Sequence, residues 1–191
     1  MAEDRIKSAR EIAMERLASL SALTPEELDE QREKEYGPRG AAIAQKYLEG
    51  TLRSNELARE LKRYQGKDGE AVRKAFISTL CESISLRDQA QSMKAIDGIA
   101  AVAGKADLGE MKREIETISR EFIREAERRR AEYTDLMRQR LVSTGISGSA
   151  VWPNVAEDDD WRRELKKIGV GYSERVGVIR EKLSRLGLQK A

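Results

Sequence analysis

The stretch LGEMKREIETISREF, residues 108–122, decides the fold of this chain. Its apolar residues recur alternately after three and four positions, which is the spacing of a seam along one α-helix that packs against another. They are Leu108, Met111, Ile115, Ile118 and Phe122. No proline follows before residue 144, and no glycine follows Gly109 in that span. The pattern therefore predicts one helix over residues 107–144, about 57 Å long at a rise of ~1.5 Å per residue.

A second stripe with the same spacing lies near the C-terminus. It consists of Trp161, Leu165, Ile168, Tyr172, Val176, Ile179, Leu183 and Leu186. The intervening residues 145–158 contain glycines and a proline, which interrupt helices, and Asp158 or Asp159 can cap the helix that follows. We therefore predict an antiparallel, coiled-coil-like helical hairpin over residues 107–188 with a loop at 145–158. The glycines within residues 169–171 leave open a local break in the second helix.

A loop centred near residue 151 predicts how the two helices of this hairpin meet. Antiparallel partners would then place Phe122 opposite Glu181, beside the apolar residues Ile179 and Leu183, and Ala126 opposite Gly177. Small residues at matching heights would let the two backbones approach closely, within the usual interaxial distance of ~8–10 Å. In the same register, Arg129 would face Glu174.

Residues 1–106 form a separate N-terminal helical region in this prediction. A first helix is expected over residues 3–20, where apolar residues follow the helical period. Residues 24–36 predict a second helix, because they open with a capping threonine and a proline at the first helical position. The GPRG sequence at residues 37–40 is expected to end that helix and to start a third at its proline.

Turn signals divide the rest of the N-terminal region. The third helix is expected to break within residues 50–54, and QGKDG at residues 65–69 is expected to form a turn. Residues 70–103 are compatible with one helix or with two. Ser85 and Asp88 could form the capping pair of a second helix.

The composition favours an all-α, elongated protein. Charged residues make up 37% of the 191 positions, above the ~25% typical of globular proteins. The net charge is only +2, without the positive field expected of a nucleic-acid binder. Residues 1–36 hold 10 acids and 6 bases, whereas residues 37–106 hold 12 bases and 8 acids. These two segments are expected to dock on each other or on another copy of the chain.

The residue inventory excludes several chemistries. The chain has no histidine and one cysteine, Cys81, so zinc sites built from cysteine and histidine cannot form, and neither can histidine-dependent nucleophilic catalysis. Cys81 lies in an apolar helical sequence and is expected to be a buried, inert thiol. No glycine-rich phosphate loop occurs. We therefore predict no catalytic residue, no metal and no cofactor.

The loop contains the one candidate binding site that the sequence indicates. Ser149, Val151, Trp152, Pro153 and Asn154 form a tip on which the tryptophan could anchor a partner protein. Alternatively, the apolar side chains of the loop tuck under the hairpin, and the segment is only a turn. The sequence leaves both interpretations open.

The sequence thus predicts a non-enzymatic helical interaction or scaffold protein that self-associates or binds a protein partner. The alternative is a nucleic-acid-associated protein that uses the basic helix faces Arg128–Arg130 and Arg162–Lys167, although acids lie among and beside these bases. Nothing indicates a small-molecule ligand. Residues 1–17 lack the apolar core of a secretory signal, and no apolar run reaches the ~20 residues that span a membrane. A cytoplasmic location without membrane association is therefore expected.

Overall fold

The computed structural model describes residues 8, 10, 11, 14, 24–104, 108–148 and 152–188. Within these residues the chain forms six α-helices, one 3₁₀ turn and no β-strand, so the predicted all-α class is confirmed. The helices are α1 (Pro25–Glu49), α2 (Ser54–Leu61), α3 (Gly66–Ser83), α4 (Gln89–Ala103), α5 (Gly109–Ser143) and α6 (Asp159–Leu188), and the 3₁₀ turn is Val155–Glu157. The helix predicted over residues 3–20 lies mostly outside the described residues.

Helix α1 begins where the capping sequence predicted but continues further than expected. The Thr24 hydroxyl accepts a hydrogen bond from the backbone N–H of Glu27 at 3.2 Å, and the Glu27 carboxylate accepts one from the Thr24 N–H at 2.8 Å. The helix does not end at Tyr36. It passes through Pro38 and stops before Gly50, whose φ is +87°. The prediction of two separate helices is therefore wrong at this point.

Packing against α3 explains why α1 continues through Pro38. A proline in a helix interior costs ~3 kcal/mol. A Cβ atom on Gly40 would lie 2.1 Å from the carbonyl oxygen of Val72, so the backbones of α1 and α3 touch there. Ile43 and Ala44 are buried on the turn that follows. A chain broken at the proline would lose this buried face, and its burial outweighs the cost of the proline.

Opposite charges also join the start of α1 to α3. The Asp29 carboxylate lies 3.3 Å from the Lys67 ammonium, and Glu33 lies 2.5 Å from Lys74. All four side chains are more than half exposed, so each pair contributes ~0–1 kcal/mol. The described part of the acidic segment that forms the start of α1 thus docks on the basic segment within the same chain.

The QGKDG sequence belongs largely to a helix, so the predicted turn is wrong. Helix α3 already starts at Gly66. Gly69 lies inside its first turns, where an added Cβ would stand 2.5 Å from the carbonyl oxygen of Tyr64. This glycine allows the preceding chain to pass close to the helix, and a turn is not its role.

Residues 70–103 are divided between two helices. Asp88 caps α4 by accepting a hydrogen bond from the Gln91 N–H at 2.8 Å, and the Ser85 hydroxyl accepts one from the Asp88 N–H at 3.2 Å. The predicted capping pair is confirmed. Helix α4 ends at Gly104, whose φ is +59°.

One hydrophobic core joins all six helices. Helix α6 contributes its second half, where Val176, Ile179 and Leu183 are buried. A Cβ on Gly187 would lie 2.7 Å from the side chain of Ile77, so α6 lies directly on α3. The core therefore includes residues on both sides of residue 106. Its largest fully buried side chains are Phe76, Leu57, Ile77, Leu80, Ile84, Ile96, Ile99, Ile115, Ile118, Ile179, Leu183 and Val72.

Substitution of Gly40 tests the contact between α1 and α3. Gly40→Ala should lower the free energy of unfolding by about 1–3 kcal/mol, because the added methyl group forces the helices apart. Gly37→Ala is the matched control, since its Cβ would lie 3.9 Å from Ala75, an ordinary contact, and alanine favours the helix by up to ~1 kcal/mol. Urea unfolding followed by circular dichroism measures both. Equal stability of the two variants would contradict the close contact.

Candidate functional site in helices α5 and α6 and their loop

Helices α5 and α6 pack antiparallel through two aromatic pairs. The ring centroids of Phe122 and Tyr172 are 5.7 Å apart in an edge-to-face arrangement, and those of Tyr133 and Trp161 are 5.8 Å apart. Such pairs contribute about 0.5–1.5 kcal/mol beyond the area that they bury. The helix pair is thus held together by a few large side chains.

The predicted register of this pair is wrong by about two helical turns. Phe122 was expected opposite Glu181 and beside Ile179 and Leu183, but its ring contacts Tyr172, seven residues before Ile179 and nine before Glu181. Gly177 was expected opposite Ala126, but an added Cβ at Gly177 would have no atom within 4 Å. Small residues do not meet at this height, so close approach of the two backbones does not set the register.

The path of the loop explains the shift. Helix α5 extends ten residues beyond Tyr133, whereas Tyr133 already lies beside Trp161 near the start of α6. The described loop residues 152–158 therefore run back along α5, from Trp152 beside Arg138 to Asp158 beside Tyr133, before α6 begins. Val155 is buried in the 3₁₀ turn on this return path. A loop centred symmetrically between the two helices, as the sequence prediction assumed, does not form.

Asp158 fixes the returning chain to α5. Its carboxylate accepts hydrogen bonds from the Tyr133 hydroxyl at 2.6 Å and from the backbone N–H groups of Asp160 and Trp161 at 2.9 and 3.0 Å. Asp158 therefore caps α6, as the sequence predicted. The hydrogen bond from Tyr133 lowers the pKa of Asp158, and the same bond raises the pKa of Tyr133 to about 12.

Asp158→Asn should reduce stability in a pH-dependent way. Because the folded pKa of Asp158 is lowered, its contribution is present above the unfolded value of ~3.9 and is lost as the pH falls further. Because the folded pKa of Tyr133 is raised, its contribution is lost as the pH rises above ~10. The difference in melting temperature between wild type and variant should therefore be largest between about pH 4 and pH 10.

Asp159→Asn is the matched control for that experiment. It removes the same charge from the start of α6, but the Asp159 side chain is 85% exposed and makes only a surface ion pair with Arg162. Its melting temperature should stay near that of the wild type. A deficit in Asp158→Asn that is equal at pH 3 and pH 7 would contradict the role of the carboxylate.

The predicted binding loop divides into a solvent-facing residue and its anchored neighbours. Trp152 is 72% exposed. Pro153 is half-buried, and Asn154 is exposed and directly precedes the 3₁₀ turn. Ser149 and Val151 lie outside the described residues. The segment therefore acts as a turn and also presents a tryptophan to solvent.

Trp152 belongs to an apolar cluster at the end of α5. The Arg138 guanidinium stacks on its ring at 4.1 Å from the centroid. Together with Leu141, Val142 and Ile146, these side chains line a concavity of about 370 Å³. We call these five residues the tip cluster. Val142 and Ile146 are at least half exposed, so the cluster offers apolar surface to a partner.

The exposed large apolar side chains are concentrated on α5, α6 and their loop. Among the described residues, eight of nine follow residue 122, and none lies in α1–α4. The eight are Ile123, Leu136, Val142, Ile146, Trp152, Val170, Val178 and Leu188, and the ninth is Met14. No residue of α5 after Phe122 is buried. Helices α5 and α6 and their loop therefore expose large apolar side chains of the kind that α1–α4 bury.

A second concave surface lies where the loop between α3 and α4 meets α5 and α6. It is an open groove of about 610 Å³ beside α6, which continues for a further 330 Å³ along α5. Leu86, Phe122 and Leu165 line both parts, and Gly169 and Val170 line the first. We call this surface the α6 groove.

The loop that forms one wall of the α6 groove is tied down from two sides. The buried Ser92 hydroxyl accepts a hydrogen bond from the Ser85 N–H at 2.9 Å and lies 3.0 and 2.8 Å from the carbonyl oxygens of Ser85 and Asp88. The Arg180 side chain donates to the carbonyl oxygen of Ile84 at 3.0 Å. These bonds fix the wall to α4 and to α6.

The single cysteine is a poor nucleophile. Burial raises the pKa of the Cys81 thiol to about 11, so the reactive thiolate is scarce at neutral pH. The expected burial of this thiol is confirmed, and its inertness stays a prediction. Across the part of the chain that the structure describes, no group of three or more acids or cysteines is arranged to hold a metal ion. In that same part, no helix has the length and apolar character to cross a membrane.

Sequence reasoning did not identify the α6 groove. Its wall, which contains Leu86 and Arg87, lies far from α6 in sequence, and only the tertiary fold brings the two together. One local signal was present. Val170 is apolar but lies off the buried stripe of α6, between Gly169 and Gly171.

Comparison with known proteins adds no functional indication. No family model, no curated protein and no solved structure matches the chain. The functional argument therefore depends on the tip cluster and the α6 groove.

Proposed function

We propose that this chain is a non-enzymatic helical interaction protein that self-associates through the tip cluster. The observation that carries the proposal is the uneven distribution of exposed large apolar side chains. In the described residues, α1–α4 have none, whereas α5, α6 and their loop have eight. Contiguous exposed apolar surface marks sites of protein–protein contact, and tryptophan is prominent among the residues that dominate such contacts.

Two tip clusters can cover each other. In a two-fold dimer each patch faces its own copy, so every contributing side chain is buried twice. Covering Trp152 in both copies would remove about 200–350 Å² of exposed surface, worth roughly 5–9 kcal/mol. Association costs roughly 4–15 kcal/mol in lost freedom, so Val142 and Ile146 must also contribute. The expected affinity is therefore about micromolar.

The distal half of α5 can extend this contact. It has no buried residue after Phe122, and a second copy could pack along it in the manner of a coiled coil. A cytoplasmic location is also part of the proposal.

Ion pairs on α5 and α6 argue against the nucleic-acid alternative. Within Arg128–Arg130, the first two guanidinium groups bind the Glu125 carboxylate at 2.7 and 3.1 Å. Within Arg162–Lys167, the first guanidinium binds Glu157 at 2.6 Å, and two further bases bind acids on their own helix. At these five paired bases, phosphate groups would have to displace the carboxylates to bind.

Sedimentation equilibrium at about 50 µM protein tests self-association, because a micromolar dimer is populated at that concentration. The double substitution Trp152→Ser with Val142→Ser should weaken association by about tenfold or more, since it removes the apolar area that the dimer buries. Val178→Ser is the control, since Val178 is exposed on α6 outside the tip cluster. Its association constant should remain that of the wild type.

Two results would refute this proposal. A wild-type chain that sediments as a clean 21.6 kDa monomer would show that it does not self-associate at this concentration. Dissociation by Val178→Ser, with no effect of the substitutions at Trp152 and Val142, would show that the tip cluster is not the interface.

A further inference from the structure

The α6 groove indicates a second partner. We propose that it binds an acidic amphipathic α-helix of another protein. None of the five tip-cluster residues lines this groove. The inference therefore goes beyond self-association and concerns a different surface.

The groove has the length that a bound helix needs. Its α6 side runs from Leu165 to Arg180, about 22 Å at ~1.5 Å per residue, which corresponds to roughly four helical turns. Gly169 and Ser173 lie one turn apart on this side and add little bulk to its surface. A Cβ on Gly169 would lie 3.8 Å from the Phe122 ring, and no other atom comes within 4 Å. Another backbone can therefore approach α6 closely at this point.

Apolar side chains line the groove on both sides. Phe122 is buried at the point where the two parts of the groove join, and Leu86 and Leu165 are half-buried beside it. Ile123 is 47% exposed and Val170 is 53% exposed on opposite sides of Phe122. The apolar face of an amphipathic helix would cover these side chains, as in other complexes in which a helix lies in an apolar groove.

The charges around the groove favour an acidic occupant. Four basic and two acidic side chains line its two parts. They are Arg87, Arg130, Lys166 and Arg180, with Glu127 and Glu174. The Arg180 guanidinium is held by the Ile84 carbonyl oxygen, whereas the other three basic groups have no acidic partner among the described residues. Carboxylates on a bound helix would neutralise them, and lysines there would be repelled.

Fluorescence anisotropy with a designed probe tests the proposal. The probe is a fluorescein-labelled peptide of about 18 residues, long enough for the groove, with leucine and alanine on one helical face and glutamate elsewhere. A counterpart carries lysine in place of every glutamate. The acidic probe should bind the full chain about tenfold more tightly than the lysine probe, and added salt should weaken its binding.

Two glycine substitutions on α6 make a matched pair. Gly169→Leu fills the floor of the groove at a position where an added Cβ makes only an ordinary contact with Phe122, so acidic-probe binding should weaken by about tenfold or more. Gly171→Leu makes the same change outside the groove, where no atom lies within 4 Å of the added Cβ, and should leave affinity unchanged. Circular dichroism should show that both variants remain folded.

Reversal of charge tests the electrostatic part of the proposal. The double substitution Arg87→Glu with Lys166→Glu should weaken binding of the acidic probe and strengthen binding of the lysine probe, because it inverts the sign of the charge at the edges of the groove. Equal affinity of wild type for the two probes, or binding of neither, would overturn the proposal. Equal effects of Gly169→Leu and Gly171→Leu would also overturn it.

The remaining results separate this proposal from self-association. The substitutions at Trp152 and Val142 should leave acidic-probe affinity unchanged, even if they dissociate the self-associated species. If Gly169→Leu dissociates that species and the acidic probe does not bind, a second copy of the chain occupies the groove. The assignment of an acidic helix from another protein would then be wrong.

Discussion

The burial of the second half of α6 is the constraint on which the rest of this structure depends. Val176, Ile179 and Leu183 are enclosed by the core, and Gly187 lets the helix lie directly against Ile77 of α3. Helix α6 also contacts α4 and α5. Together with the buried first half of α5, it therefore ties the C-terminal helix pair to the N-terminal helices. Because α6 is continuous to Asp159, its buried half also sets the direction of its exposed half.

Both candidate surfaces follow from this arrangement. Helix α5 is buried only up to Phe122, and beyond that point the aromatic pair Tyr133–Trp161 and the Asp158 hydrogen bonds hold it to α6 and the loop. The tip cluster lies at the far end of this helix pair, away from the core. The α6 groove lies nearer the core, where the loop fixed by Ser92 stands beside Phe122. One fold thus presents an apolar tip and a separate groove with basic edges.

Local sequence signals predicted a helix correctly where the interactions that form it also lie close together in sequence. The seam from Leu108 to Phe122 and the Thr24 capping box depend on residues within a few turns of each other, and both are present in the structure. The prediction that a helix ends before Pro38 was wrong because the destabilising effect of a proline is local, whereas the stabilising contact of Gly40 with Val72 involves a helix that is distant in sequence. Glycine that permits close packing and glycine that forms a turn look the same in a single sequence.

In the candidate site, too, the features that depend on nearby residues were predictable and those that depend on tertiary packing were not. The sequence predicted Asp158 as a cap of α6, and the structure confirms it. It left open whether Trp152 is exposed or tucked under the hairpin, and the structure shows it exposed. It placed the two long helices about two turns out of register, since loop length alone does not show that the chain runs back along α5. It could not reveal the α6 groove, whose wall at Leu86 is brought to α6 only by tertiary packing.

Hydrogen–deuterium exchange at two protein concentrations tests most directly the claim that a buried α6 supports a free, self-associating tip. Backbone amides in residues 176–187 should exchange slowly, in the same class as those of α3, at about 1 µM and at about 100 µM. Amides in residues 134–148 should exchange quickly in the dilute sample and become protected in the concentrated one. The account would be contradicted if the amides of residues 134–148 were as protected as those of the core at both concentrations. Rapid exchange in residues 176–187 would also contradict it.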